Sequence, residues 1–180
     1  MKTCIISFSS RKDGNCSQIA NLIRSVLTDS DSFDFADFEI RPCGSCRYEC
    51  FSDRNTCPYI GDMECAILES VISSDLTYFI IPNYCDYPCS NYFIFNERSQ
   101  CFFQNRPDLL DQYENIPKRS VVVSNTDEYN FRKALSYQSF SEPDILFLSA
   151  KKYGKISIKG DLLSEPKAIS DILEFIRISL

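Results

Sequence analysis

Apolar residues along the chain follow two alternating rhythms. Cys4-Ile5-Ile6, Thr77-Tyr78-Phe79-Ile80-Ile81, Ser120-Val121-Val122-Val123 and Ile145-Leu146-Phe147-Leu148 are short, nearly unbroken runs. Such continuity predicts parallel strands covered on both faces. Between the runs, apolar side chains recur at helical spacing: Ile19, Leu22, Ile23, Val26 and Leu27, then Met63, Ile67, Leu68, Val71 and Ile72, and finally Ile169, Ile172, Leu173 and Ile176 behind a Ser164-Glu165-Pro166 start. Further helix is predicted from Tyr92 to Arg98 and, more weakly, from Tyr129 to Phe140. The Thr77 run is expected to stop at Pro82, and residues 101–118, with Pro107 and Pro117, read as a helix end and connector. Acids interrupt Phe33-Asp34-Phe35-Ala36-Asp37-Phe38, which places that strand at a sheet edge. A Lys-rich turn over 151–155 and a short Ile156-Ser157-Ile158 segment precede the last helix.

Strands alternating with crossover helices describe an α/β protein whose open parallel sheet carries helices on both faces. No repeat, low-complexity stretch or linker divides the chain, so residues 1–180 read as one domain with a Cys-rich insertion loop at 42–58. Ligands of such sheets sit outside the carboxyl ends of the strands. The loops there, 9–17, 82–90 and 124–128, are also the richest in polar and aromatic ligand-type residues.

The first of these loops is an anion cradle by composition. It offers the hydroxyls of Ser9, Ser10 and Ser17, the guanidinium of Arg11, and the free N–H groups of a helix start. Gly14 allows close backbone approach, and Asn15 with Gln18 fits an N-cap and its capping-box partner. An ordinary capped loop with a solvated Arg-Lys pair has the same composition. The loop is neither a Gly-x-Gly-x-x-Gly dinucleotide fingerprint nor a Gly-Lys-Ser/Thr triphosphate loop.

Charge and composition narrow the chemistry. A net charge of −6 argues against nucleic-acid or membrane-surface binding, and no apolar run has spanning length. The apolar run near the N-terminus is too short for an export signal, so a cytoplasmic location is expected. Histidine is absent, which removes Ser-His and Cys-His dyads and imidazole base catalysis. Ten cysteines in a chain of this kind point to reduced thiols, metal ligands or redox chemistry before structural disulfides.

Four motifs in order carry a family resemblance. Ser9-Ser10-Arg11-Lys12-Asp13-Gly14-Asn15-Cys16-Ser17 resembles the Gly-Ser-Pro-Arg-x-x-Gly-Asn-Thr-Ser signature of NAD(P)H-dependent FMN reductases. Cys43-Gly44-Ser45-Cys46, Cys50 and Cys57-Pro58 leading to Asp62-Met63 resemble the segment of the iron-sulfur flavoprotein-like subgroup. Ile81-Pro82-Asn83-Tyr84-Cys85-Asp86-Tyr87-Pro88 is similar to the family's Ser-Pro-Val-Tyr stretch, and Glu97-Arg98 to its Asp-Arg helix end. The resemblance implies a flavodoxin-like three-layer sandwich with a doubly wound, five-stranded parallel sheet in the order 2-1-3-4-5. It implies that Ser9, Arg11, Asn15, Cys16 and Ser17 hold the FMN phosphate. Pro82, Asn83, Tyr84 and Cys85 would lie beside the flavin, with Ser124 and Asn125 at its far edge. The loop departs from the signature at Phe8-Ser9-Ser10 and at Cys16, while Asp86 and Asp127-Glu128 add negative charge near an anionic cofactor.

The resemblance further implies NAD(P)H as cosubstrate and Cys43, Cys46, Cys50 and Cys57 as ligands of a [4Fe-4S] cluster. The spacing itself is also open to metal-free thiols and, less readily, to structural zinc. The expected activity is electron transfer from a nicotinamide through FMN to a small molecule, a redox protein or the cluster. Its alternatives are an electron carrier or redox-sensing thiol protein, and a degenerate interaction module of the same fold. A homodimer or higher homo-oligomer is expected, with Phe93, Phe95, Phe102 and Phe103 offered as a surface for self-association.

Overall fold

In the computed structural model, residues 1–44, 46–136 and 144–177 are described. Ser45 of the cysteine segment and residues 137–140 of the Tyr129–Phe140 helix expectation lie outside them.

The sheet is built from β1 (Thr3–Ser7), β2 (Ser30–Asp34), β3 (Leu76–Tyr84), β4 (Tyr87–Pro88), β5 (Lys118–Ser124) and β6 (Asp144–Ser149). Its path is β2-β1-β3-β5-β6, all parallel, and β4 pairs antiparallel with β3 off that path. Six strands therefore replace the expected five. The extra one only closes a hairpin on the end of β3, and the five parallel strands keep the expected order among themselves.

Period-two alternation splits the strands between two cores. Ile5, Tyr78, Ile80, Val121 and Val123 face one way, against α1 (Asn15–Val26) and α6 (Pro166–Arg177) through Ile19, Ile23, Ile172 and Ile176. Ile6, Phe79, Ile81 and Val122 face the other. There they meet α2 (Glu64–Ile72), α3 (Ser90–Phe103) and α5 (Tyr129–Ser136) through Ile67, Leu68, Phe95, Phe102 and Phe131. Helices on both faces give the three-layer sandwich. Phe8, fully buried just beyond β1, centres the second core, with ring centroids 5.1 Å from Phe35, 5.5 Å from Phe79, 5.3 Å from Tyr92 and 5.6 Å from Phe95.

Four sequence expectations are corrected. Pro82 does not stop β3, which continues to Tyr84 with Pro82 in register with Val123. The last β1 pair is Ser7 with Ile80, so beyond it β3 is an edge on that side, where a missing N–H is tolerated. The edge strand is Ser30–Asp34 rather than residues 33–38. Residues 101–118 hold the end of α3 and a separate helix, α4 (Pro107–Asn115), whose first position is Pro107. Proline there starts a helix, because its fixed φ suits the first turn and its absent N–H needs no partner. The four phenylalanines do not share a surface: Phe95, Phe102 and Phe103 are buried in the chain's own core, and of the four only Phe93 is exposed.

Candidate functional site

The loop between β1 and α1 is wound tightly. Ser9 Oγ accepts from the Arg11 N–H at 3.1 Å, Asp13 takes a left-handed φ of +58°, and the Gly14 N–H reaches the Arg11 carbonyl at 3.3 Å. A Cβ on Gly14 would lie 3.2 Å from that carbonyl oxygen, a tight contact that the turn would have to ease by a few tenths of an ångström. Gly14 is also the N-cap, and no side chain caps the helix. The opening N–H groups of α1 therefore have no side-chain acceptor at the cap. Ser9, Asn15, Cys16 and Ser17 are buried around this turn, Ser10 and Arg11 are exposed, and Ser17 Oγ donates to the Arg11 carbonyl at 3.4 Å. Burial raises the Cys16 thiol far above its ordinary range, so it stays protonated.

β3 and β5 bring the other two loops alongside. Asn83 Nδ2 donates to Ser124 Oγ at 2.8 Å and to Thr126 Oγ1 at 3.2 Å. Its Oδ1 is buried with no hydrogen-bond partner among the described residues. Cys85 and Asp86, at φ +51° and +67°, form the hairpin turn into β4, and Tyr84 and Tyr87 flank it with more than half of their surface exposed. The charge of Asp86 is held internally: Thr126 Oγ1 donates to it at 2.7 Å and Asn130 Nδ2 at 3.2 Å, bonds that lower its pKa. Asn91, at the start of α3, completes the ring by donating to the Phe8 carbonyl at 2.9 Å and to Ser10 Oγ at 2.8 Å.

A strap over residues 156–162 crosses the first loop and changes the roles of several predicted residues. Asn15 is the first residue of α1 rather than its cap. Its Nδ2 donates to the Ser157 carbonyl at 2.8 Å, and its Oδ1 accepts from the Leu162 N–H at 3.0 Å. Gln18 forms no capping box; its Nε2 donates to the Asp13 carbonyl at 2.9 Å and to the Gly160 carbonyl at 2.8 Å. Arg11 donates to the Ile158 carbonyl, and Asn125 Oδ1 accepts from the Ser157 N–H at 2.8 Å. Arg11, Asn15 and Asn125 thus hold the strap, while Ser9, Ser17 and the uncapped turn bond within the first loop. Asn91, Thr126 and the strap carry no motif. The readable trace of the strap is Gly154 and Gly160, which end 3-10 turns at φ +66° and +72°.

The cysteine segment forms a second centre. Cys43, Cys46, Cys50 and Cys57 line one cavity of about 190 Å3, together with Cys101 of α3. Among the described residues, no group of three or more His, Cys, Asp or Glu side chains is placed to hold a metal ion. Arg98, almost fully buried, anchors the segment. It donates to the Arg41 carbonyl at 2.7 Å, to Asp62 Oδ2 at 2.8 Å and to the Tyr59 carbonyl at 3.4 Å, with Glu64 Oε2 3.1 Å away. The Glu97-Arg98 and Asp62-Met63 motifs therefore meet through this guanidinium.

No protein-family model matches the chain, and no curated protein matches its sequence. Solved structures do match its fold. Smu.1420 from Streptococcus mutans UA159 aligns over 98% of this chain and 99% of its own at TM-score 0.64 and 14% identity. FerB of Paracoccus denitrificans, a flavoenzyme NAD(P)H:(acceptor) oxidoreductase, covers 98% of this chain and 96% of its own at TM-score 0.56 and 13% identity. RosB, solved with a bound 8-demethyl-8-formylriboflavin-5'-phosphate, covers 99% and 79% at TM-score 0.55 and 14% identity. The fold is flavodoxin-like. No helix among the described residues is long and apolar enough to cross a membrane.

Proposed function

We propose that this chain is an FMN-dependent oxidoreductase that takes electrons from a nicotinamide and passes them to a small molecule or a redox protein. The observation that carries the reading is the uncapped first turn of α1 at the carboxyl end of the sheet, with the hydroxyls of Ser9 and Ser17 buried beside it. Those donors suit a phosphate monoester. The unpartnered Oδ1 of Asn83 suits an N–H or hydroxyl donor of the group attached to that phosphate. Bound FMN would supply the hydride-accepting chemistry, and the protein would bind and orient it. Tyr84 would line the exposed side of the ring, and Pro82 and Cys85 would lie along it. The likeness to FerB and to flavin-phosphate-bound RosB supports this choice among phosphate ligands. The four segment cysteines are not placed as a ligand set, so no step is assigned to a cluster.

The test is a titration of purified protein with FMN and with riboflavin, followed by quenching of flavin fluorescence. FMN should bind at least about tenfold more tightly, since charge-assisted hydrogen bonds to a phosphate contribute about 1.5–3 kcal/mol. Ser17→Ala should narrow that gap. Equal affinities, or no uptake of FMN by folded protein, would overturn the assignment.

A further inference from the structure

Cys101 belongs to none of the sequence motifs, yet it packs against Cys50 and Cys57 in one buried cluster with Tyr59 and Ile60 alongside. It reaches them from the helix side. On α3, Glu97, Gln100 and Cys101 stand at i, i+3 and i+4 and line the thiol cavity as one stripe, with the C-cap Gln104 beyond them. Arg98, one turn before Cys101, pins both ends of the segment to the same helix through Arg41, Tyr59 and Asp62. Cys50 lies between those anchors in a 3-10 turn, entered through a left-handed Tyr48 and flanked by the exposed rings of Tyr48 and Phe51. All ten cysteines are unpaired. The cavity thus brings a thiol on a 3-10 turn of the loop against a thiol on a helix, between polar side chains.

We propose that Cys50 and Cys101 are a reversible dithiol–disulfide pair, oxidised by a small aliphatic disulfide that enters this cavity. The Cys50 thiolate attacks one sulfur of the small disulfide, and a mixed disulfide forms as the first small thiolate leaves. Cys101 then attacks the Cys50 sulfur, giving its proton to the departing thiolate, and the second small thiol is released. Two protein thiols are oxidised, and one small disulfide is reduced to two thiols. The pair needs neither metal nor flavin, so its test is independent of the FMN reading.

The full-length reduced protein is exposed to 2-hydroxyethyl disulfide, quenched with alkylating reagent at intervals, and mapped by tryptic peptides without reduction. Trypsin leaves Cys50 alone in the peptide 48–54 and Cys101 alone in 99–118, because the Arg106-Pro107 bond resists cleavage. The expected early product is a single cross-link between these peptides, reversed by dithiothreitol. Cys101→Ser should instead trap the hydroxyethyl mixed disulfide on Cys50, while Cys65→Ser, altered on α2, should behave as the parent. Far-UV circular dichroism verifies that each variant is folded, and Cys101→Ala repeats the test with a different side chain. The proposal is overturned if the first link is Cys43–Cys46, if Cys101 pairs with Cys57, or if Cys50 is modified no faster than Cys65.

Discussion

Replacing Glu64 by Gln removes one ionisable group from a buried site where a single guanidinium faces two carboxyls. Glu64 and Arg98 are each 2% exposed at the side chain, and Asp62 is 16% exposed. Asp62 makes the closer contact, 2.8 Å against 3.1 Å, and one cation cannot balance two desolvated carboxylates. Burial raises the Glu64 pKa to about 8, with Arg98 opposing the rise and Asp62 adding to it. Glu64 therefore carries a proton at neutral pH. In the unfolded chain Glu64 titrates near 4.5, so between 4.5 and about 8 the native state holds a proton that the unfolded state has lost. The resulting stabilisation is complete below the unfolded pKa and is lost as pH rises through the folded one. Its slope is at most about 1.4 kcal/mol per pH unit, a ceiling of roughly 4 kcal/mol between pH 5 and 8. Gln reproduces the neutral form, so Glu64→Gln should lack this slope and gain on the parent as pH rises. Urea unfolding of both proteins at several pH values across that window measures the difference, and groups common to both cancel. Parallel stability curves would refute the reasoning, as would a Gln variant several kcal/mol weaker at every pH.

Other expectations follow from packing and from the strap. Phe8→Ala deletes the ring at the centre of the aromatic core and should cost about 3–5 kcal/mol of unfolding free energy by denaturant titration. Asn15→Ala removes the donor and acceptor that hold Ser157 and Leu162. It leaves the buried Leu162 N–H unpaired, at about 1–3 kcal/mol, and should speed tryptic cleavage at Lys155 and Lys159 against the parent. Asp62→Asn should destabilise more than Glu64→Gln at pH 7, because Asp62 is the closer, hydrogen-bonded partner of Arg98; equal effects in urea titrations would contradict that ranking.

Much of the architecture was legible as pattern. The apolar runs at Ile5, Ile80 and Val122 specified buried parallel strands, since only a sheet covered on both faces tolerates continuous hydrophobicity. Proline was the least legible residue: Pro82 and Pro107 both looked like breakers, and only the neighbouring strand and the helix phase show why each is accommodated. At the candidate site, the pattern placed Ser9 and Ser17 beside a helix start, where the structure also has them buried. The partners of Arg11, Asn15 and Asn125 were not readable, because they lie in a strap more than thirty positions away for Asn125 and over a hundred and forty for the other two.

The sequence by itself determined the alternation of strands and helices, the loops that carry polar ligands, the absence of imidazole chemistry and the concentration of thiols. These are properties of local composition and period. Tertiary structure alone decided that Asn83 keeps a buried acceptor free, that Arg98 draws the cysteine segment onto α3, and that Cys101 joins the thiols of a loop some fifty positions earlier. Desolvation and hydrogen-bond satisfaction depend on which groups meet in space, and sequence spacing carries no record of those meetings.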